Sequence, residues 1–166
     1  MNDELLDIVN EKNEVIGQEW RSVIHEKREL HKMRAVWLFV QNNKGQLWIP
    51  RRVAHKKVRP LALDGSAVGC VSAGETYEQA LMRETQEELN IRLSKHDYSF
   101  CGYLNPSDGM LCHVQVYHTI LHETPQYDKN EFCESFWLYP QEILDLWQKG
   151  ETMKPSLPKI VKRYFL

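Results

Sequence analysis

Apolar and polar positions alternate with a short, strand-like period over much of this chain and switch to a helical period in its middle and near its end. Leu5 to Val9 and Val15 to Gln18 are β-like runs separated by Asn10-Glu11-Lys12-Asn13-Glu14, a polar break that predicts an N-terminal hairpin. A short helical piece over residues 20–26 follows. Ala35 to Gln41 and Gln46 to Pro50 flank Asn42-Asn43-Lys44-Gly45, whose turn residues predict a second hairpin. Leu63 to Val71 reads as a strand feeding a helix over residues 76–89, where Tyr77, Leu81, Thr85 and Leu89 recur at i+4 and form a stripe to be buried. Thr76 with Gln79 is a capping box for the start of that helix. Further strands are expected at Tyr98 to Leu104, Leu111 to Leu121 and Glu134 to Leu138. Pro140 opens a helix through Lys149, with Ile143, Leu144 and Trp147 on one face. Lys159 to Leu166, after Pro158, reads as a short amphipathic helix. Helices covering both faces of a mixed β-sheet give an α/β fold, an α/β/α sandwich.

With 166 residues, 42% of them hydrophobic, the chain is the size of one globular domain, 1–166, made of a core with an N-terminal hairpin extension and a short C-terminal helix. The formal net charge of −2 gives no general attraction to nucleic acid or to an anionic membrane, so anion binding has to be local. Cys70, Cys101, Cys112 and Cys133 are widely spaced, form no Cys-x-x-Cys pair and read as reduced thiols. The acidic N-terminus and the lack of a long apolar run point to a cytoplasmic protein.

The chemistry concentrates in residues 69–91. Glu84, Glu87 and Glu88 stand at i, i+3 and i+4 of the expected helix, where neighbouring Cβ atoms lie roughly 5–6 Å apart, behind a loop that carries Gly69. Clustered carboxylates repel one another unless a hard cation sits among them, which points to a divalent-metal site facing a phosphate group. An acidic solvated face on an ordinary amphipathic helix is the plainer reading. It does not account for Gly69, Glu75 and Arg83 at their offsets.

This stretch resembles the signature of the Nudix hydrolases, Gly-x5-Glu-x7-Arg-Glu-U-x-Glu-Glu-x-Gly-U, with U a bulky apolar residue. Gly69, Glu75, Arg83, Glu84, Glu87, Glu88 and Ile91 match it, while Thr85 replaces the first U and Asn90 the second glycine. Asn tolerates the left-handed conformation that ends a helix, and Thr85 keeps a methyl for the core but needs a partner for its hydroxyl. The resemblance implies a Mg²⁺-dependent hydrolase, with Mn²⁺ as a substitute, that cleaves a phosphoanhydride bond in a nucleoside diphosphate linked to another moiety. It implies Gly69, Glu84, Glu87 and Glu88 as metal ligands, Arg83 orienting Glu84, and Glu84 or Glu87 as general base, with Glu131 and Glu134 as alternatives. Partners are then a small-molecule diphosphate substrate and, as an option, a second copy in a homodimer, with no membrane and no nucleic-acid surface.

Residues 5–145 also look like the Nudix branch of isopentenyl-diphosphate isomerase and its uncharacterised hydrolase-like bacterial relatives, through Leu30-His31, Asn43-Lys44-Gly45-Gln46-Leu47, Arg51-Arg52, Lys56, Pro60 and the Glu131 to Trp137 segment. The resemblance assigns diphosphate binding to Arg52 and Lys56, leaving Lys57 and Arg59 as solvated charges. Where the isomerase carries Cys-Gly-His this chain has Val68-Gly69-Cys70, and valine cannot move a proton, so hydrolysis is favoured over isomerisation. A noncatalytic nucleotide-binding domain is the alternative from another class, disfavoured because all three metal carboxylates are present. His25 and His31 resemble the isomerase's N-terminal metal ligands. Pro106 stands where pyrophosphatases of the ADP-ribose type carry a proline, and it also fits an ordinary turn. His113, His118 and His122 read as structural histidines on a strand, 118 and 122 sharing a face with Val114, Val116 and Ile120.

Overall fold

The computed structural model describes residues 3–166. Strands β1 (Leu5–Val9) and β2 (Val15–Trp20) form the expected N-terminal hairpin, followed by helix α1 (Arg21–Glu26). Asn10 closes its turn by accepting the amide N–H groups of Lys12 and Glu14 at 2.9 and 3.0 Å. The main sheet contains β3 (Arg34–Gln41), β4 (Leu47–Arg52), β5 (Ala67–Cys70), β6 (Tyr98–Leu104), β7 (His113–Ile120) and β8 (Phe132–Leu138). Its order is β6-β7-β3-β4-β8, with β5 also on β3. β3 and β7 are parallel and the other pairs antiparallel, so the sheet is mixed.

β3 is buried on both faces, and its period of two divides the core. Ala35, Trp37 and Phe39 pack with Ile143 of α3 (Pro140–Gln148) and with Leu157, Ile160 and Val161 of α4 (Ser156–Tyr164). Val36, Leu38 and Val40 pack with Ala80, Leu81 and Leu89 of α2 (Tyr77–Leu89) on the other face. The layers are therefore helix, mixed sheet and helix. A smaller cluster of Leu6, Ile24 and Met33 fastens the N-terminal hairpin and α1 to the sheet.

The β3–β4 hairpin pairs only at Gln41 and Leu47, after which β5 takes the β3 edge from Ala35 to Leu38. Ser66 bridges the splayed strands: its hydroxyl donates to the Trp48 carbonyl at 2.7 Å and accepts the Val40 N–H at 2.8 Å. That is why the strand expected from Leu63 to Val71 is reduced to Ala67–Cys70: the Asp64 N–H donates to the Pro50 carbonyl and Ser66 to the Trp48 carbonyl, while the Gly65 N–H turns back to Asp64.

Other boundaries differ as well. The C-terminal helix starts at Ser156 rather than after Pro158, because Pro158 falls in the first turn, where its missing N–H has no intrahelical partner to lose. β7 spans His113–Ile120, shorter than expected at both ends, which leaves His122 beyond the strand.

Candidate active site

The opened end of the sheet holds a cavity of about 450 Å³. Its walls include Ala35 and Trp37 of β3, Arg52 at the end of β4, Val68, Gly69 and Cys70 of β5, and Glu84, Glu87 and Glu88 of α2. Local chemistry sets α2 in place. Thr76 accepts the Gln79 N–H at 3.1 Å, and Gln79 accepts the Thr76 N–H at 2.9 Å, completing the capping box. The Thr85 hydroxyl finds its partner in the Leu81 carbonyl at 2.7 Å, and Asn90 ends the helix in the left-handed region at φ 55°.

With Leu81, Thr85 and Leu89 turned inward, Glu84 and Glu88 fall at the margin facing β5 and are buried. Glu87 lies further out, its side chain 59% exposed. Glu84 packs directly on Gly69: a Cβ on residue 69 would come within 2.0 Å of the Glu84 carboxyl. Arg83 holds Glu84 through an Nη1–Oε1 contact of 2.7 Å and donates to Glu75 through Nε and Nη2, both at 2.9 Å. It also donates to the Cys70 carbonyl at 3.0 Å, while Glu75 accepts the Ser72 N–H at 2.9 Å. Arg83 therefore ties the loop after β5 to the helix. Glu88 accepts the Val68 N–H at 3.1 Å.

Burial pushes the Glu84 carboxyl up to about 7, against the attraction of Arg83, with Glu87 and Glu4 adding repulsion. Burial likewise pushes Glu88 well above the usual carboxylate range, and the negative charges of Glu84 and Asp64 push in the same direction. Desolvated carboxylates that repel each other are a donor set for a hard divalent cation, which takes oxygen ligands and offsets their charge. Glu84, Glu87, Glu88 and the backbone of Gly69 could hold one. Among the described residues, however, no three His, Cys, Asp or Glu side chains converge as a ready-made cage. The i, i+3, i+4 spacing sets their common direction but not their side-chain torsions, and Arg83 and Val68 engage two of the carboxylates.

The basic loop meets the same cavity. Arg52 is buried, with Nη1 at 3.1 Å from Asp64 and Nη2 donating to the Val58 carbonyl at 3.1 Å. Its Nε–H is buried with no partner among the described residues. Lys56 makes a close ion pair with Glu131. Lys57 is exposed as expected, whereas Arg59, expected to be purely solvated, lines the cavity as well.

Several candidates do not converge. His25 lines the cavity, but His31 lines a separate cleft with His113, so the two N-terminal histidines are not joined in one site. His113 is within 2.5 Å of the Tyr103 hydroxyl and His118 within 2.9 Å of Gln41, which gives both structural partners. Pro106 opens a 3-10 turn capped by Asn105. Glu134 pairs with Arg51 at 2.5 Å and is not part of the cavity lining, while Glu131 is.

Sequence reasoning missed Glu4, Arg21, Asp128 and Lys154, all of which line the cavity. Each arrives from an element distant in sequence, without a local motif. Asp64, which fastens Arg52, carried no spacing signal either.

A family model described as the NUDIX domain matches residues 31–160. The chain is 46% identical over 163 residues to an uncharacterized Nudix hydrolase of Nostoc sp., covering 98% of this chain and 96% of that protein. It is 37% identical over 169 residues to a Nudix hydrolase of Deinococcus radiodurans, covering 99% and 96%. The crystal structure of DR0079 from Deinococcus radiodurans superposes with a TM-score of 0.90 at 37% identity, covering 98% of this chain and 100% of that one. The MutT protein of Methanosarcina mazei, at 18% identity and a TM-score of 0.64 over 80% of this chain and 91% of that one, shares the fold. Matched over most of its length in sequence and in fold, and carrying the glutamate helix behind its glycine loop, this chain belongs to the Nudix hydrolase family.

Proposed function

We propose that this Nudix hydrolase is Mg²⁺-dependent, with Mn²⁺ able to substitute, and that it cleaves the phosphoanhydride bond of a nucleoside diphosphate linked to another moiety. We read the chain as one domain in which the N-terminal hairpin is an extension of the family core. The observation that carries the proposal is that Arg52 and Lys56 share one cavity with Gly69, Glu84, Glu87 and Glu88. Cations for phosphate oxygens thus face carboxylates suited to a metal, as cleavage of a diphosphate requires.

A bound Mg²⁺ would neutralise phosphate charge and activate water. The protein's own residues divide the remaining work. Arg52, which lines the cavity, offers a planar guanidinium to a phosphate oxygen, and Lys56 adds a point charge. Arg83 keeps the Glu84 carboxylate turned to Gly69, a positioning role. Of the three helix glutamates, Glu87 is the most exposed and its one ion pair, with Arg83, is long at 3.5 Å, so its carboxylate is the freest to take a proton from water. Glu131 is engaged by Lys56 and Glu134 by Arg51, which makes them poorer bases.

Likeness to the isomerase branch does not bring isomerase chemistry with it. Val68 lines the cavity where that resemblance calls for a thiol, and burial pushes the Cys70 thiol up, away from the thiolate. The test is a screen of purified protein with Mg²⁺ against nucleoside diphosphate sugars, dinucleotides, nucleoside triphosphates and isopentenyl diphosphate. Hydrolysis of a diphosphate-linked nucleoside is expected. Conversion of isopentenyl diphosphate with uptake of solvent deuterium, lost in Cys70→Ala, would contradict it.

A further inference from the structure

The segment joining α3 to α4 reaches the cavity with Lys154 and Pro155, of which Lys154 carries the charge. Its backbone is locked in place: the Lys154 N–H donates to the Leu63 carbonyl at 3.0 Å, and the Leu63 N–H donates to the Thr152 carbonyl at 2.9 Å. The ammonium sits 2.7 Å from Asp64 Oδ2 and 5.5 Å from the centre of the Trp37 ring. The same Oδ2 is 3.1 Å from Arg52 Nη1, while Oδ1 accepts the Gly65 N–H at 2.8 Å. One buried carboxylate thus carries two cations on a single oxygen. Asp64, Arg52 and Lys154 together are left with a surplus positive charge beside the cavity. An ammonium has three N–H donors. Among the described residues Asp64 is the only ion-pair partner of Lys154, so donors remain for a ligand.

We propose that Lys154 is a substrate-binding residue that holds a phosphate oxygen alongside Arg52, with Asp64 as the positioning residue that sets the two cations side by side. The inference rests on the reading of this cavity as the diphosphate site, and it extends that site to a segment about a hundred residues beyond the basic loop. A purely structural latch would need only the Asp64 contact. It would not require the ammonium to line the cavity.

The test is binding of inorganic pyrophosphate by calorimetry with Mg²⁺ present, together with steady-state hydrolysis of the best substrate. Lys154→Gln, Lys154→Arg and, as a control on the exposed face of α4, Lys162→Gln are compared with the unaltered protein. Lys154→Gln should weaken pyrophosphate binding and raise KM roughly tenfold, equivalent to about 1.4 kcal/mol. Lys154→Arg should restore most of the loss, and Lys162→Gln should bind normally. Unchanged affinity and KM in a folded Lys154→Gln protein would overturn the inference while leaving the hydrolase reading intact. Lys154-dependent pyrophosphate binding by a protein that hydrolyses no diphosphate would uphold the inference and sink the hydrolase reading. Equal weakening by Lys154→Gln and Lys162→Gln would reduce the effect to general charge and also overturn it.

Discussion

Gly69 and Glu84 occupy adjoining space so tightly that position 69 cannot take a larger side chain unless Glu84 moves. A methyl at position 69 would come within 2.0 Å of the Glu84 carboxyl, so Gly69→Ala should expel that side chain and lower kcat by at least about tenfold, the change expected when a ligand side chain loses its fixed orientation. Activity measured beside a melting curve would separate this from unfolding. The titration of Glu84 supplies a second residue-scale prediction. Burial pushes its carboxyl up to about 7, so in metal-free protein the folded state keeps a proton that the unfolded chain releases near pH 4.3, to rough order. The folded state then binds more protons across that window, and stability must fall as pH rises through it. In chelator, melting temperature should therefore decline between about pH 5 and pH 8, less so in Glu84→Gln, and Mg²⁺ should recover it at the upper end. Because His25, His113 and His118 are lowered by burial and push stability the other way, the difference between the two proteins is decisive, and an identical profile in Glu84→Gln would contradict the raised titration of this carboxylate. That Glu84, Glu87 and Glu88 share one side of α2 was legible in their spacing, because a helix dictates which residues stand together. Their unequal burial was not, because it depends on β5 and on Gly69 lying against only part of that face.

At the scale of elements, α2 was the most legible, since its capping box, its stripe and its Asn90 terminus are all local chemistry. Thr76→Ala should cost about 1 kcal/mol of stability, the usual value of an N-cap side chain, with little change in KM. Denaturant unfolding alongside kinetics would check it, and a large loss of activity at unchanged stability would mean the cap serves the site directly. Strand β5 was overread. Hydrophobic pattern alone continues back to Leu63, but Ser66 spends its hydroxyl on Trp48 and Val40, and Leu63 instead meets Arg51 and Met153. The C-terminal helix begins before Pro158 rather than after it, because a proline in the first helical turn costs little.

Over the whole molecule, the cavity draws on Glu4 just before the N-terminal hairpin, on α1, the splayed strands, the glutamate helix and the α3–α4 segment. Asp64 is the point where three of these chain regions meet, through Arg52, Lys154 and its own position before β5. Asp64→Asn would leave two cations without their carboxylate, and breaking a buried pair of this kind costs about 3–5 kcal/mol. Chemical denaturation should show a loss of that order. A change below about 1 kcal/mol would mean that solvent already screens the cluster. Such convergence could not be read from the sequence, because Lys154 and Arg21 arrive by tertiary contact alone. The central claim, that a divalent metal held by the helix glutamates drives hydrolysis, is tested most directly by turnover of the best substrate with Mg²⁺ in Glu87→Gln, Glu88→Gln and the double variant. A carboxamide keeps the shape and removes the charge, so the expected result is a folded protein whose kcat falls by at least about a hundredfold, as losses of acid–base function do, and whose wild-type activity vanishes in chelator. Undiminished turnover by the folded double variant in chelator would contradict the claim.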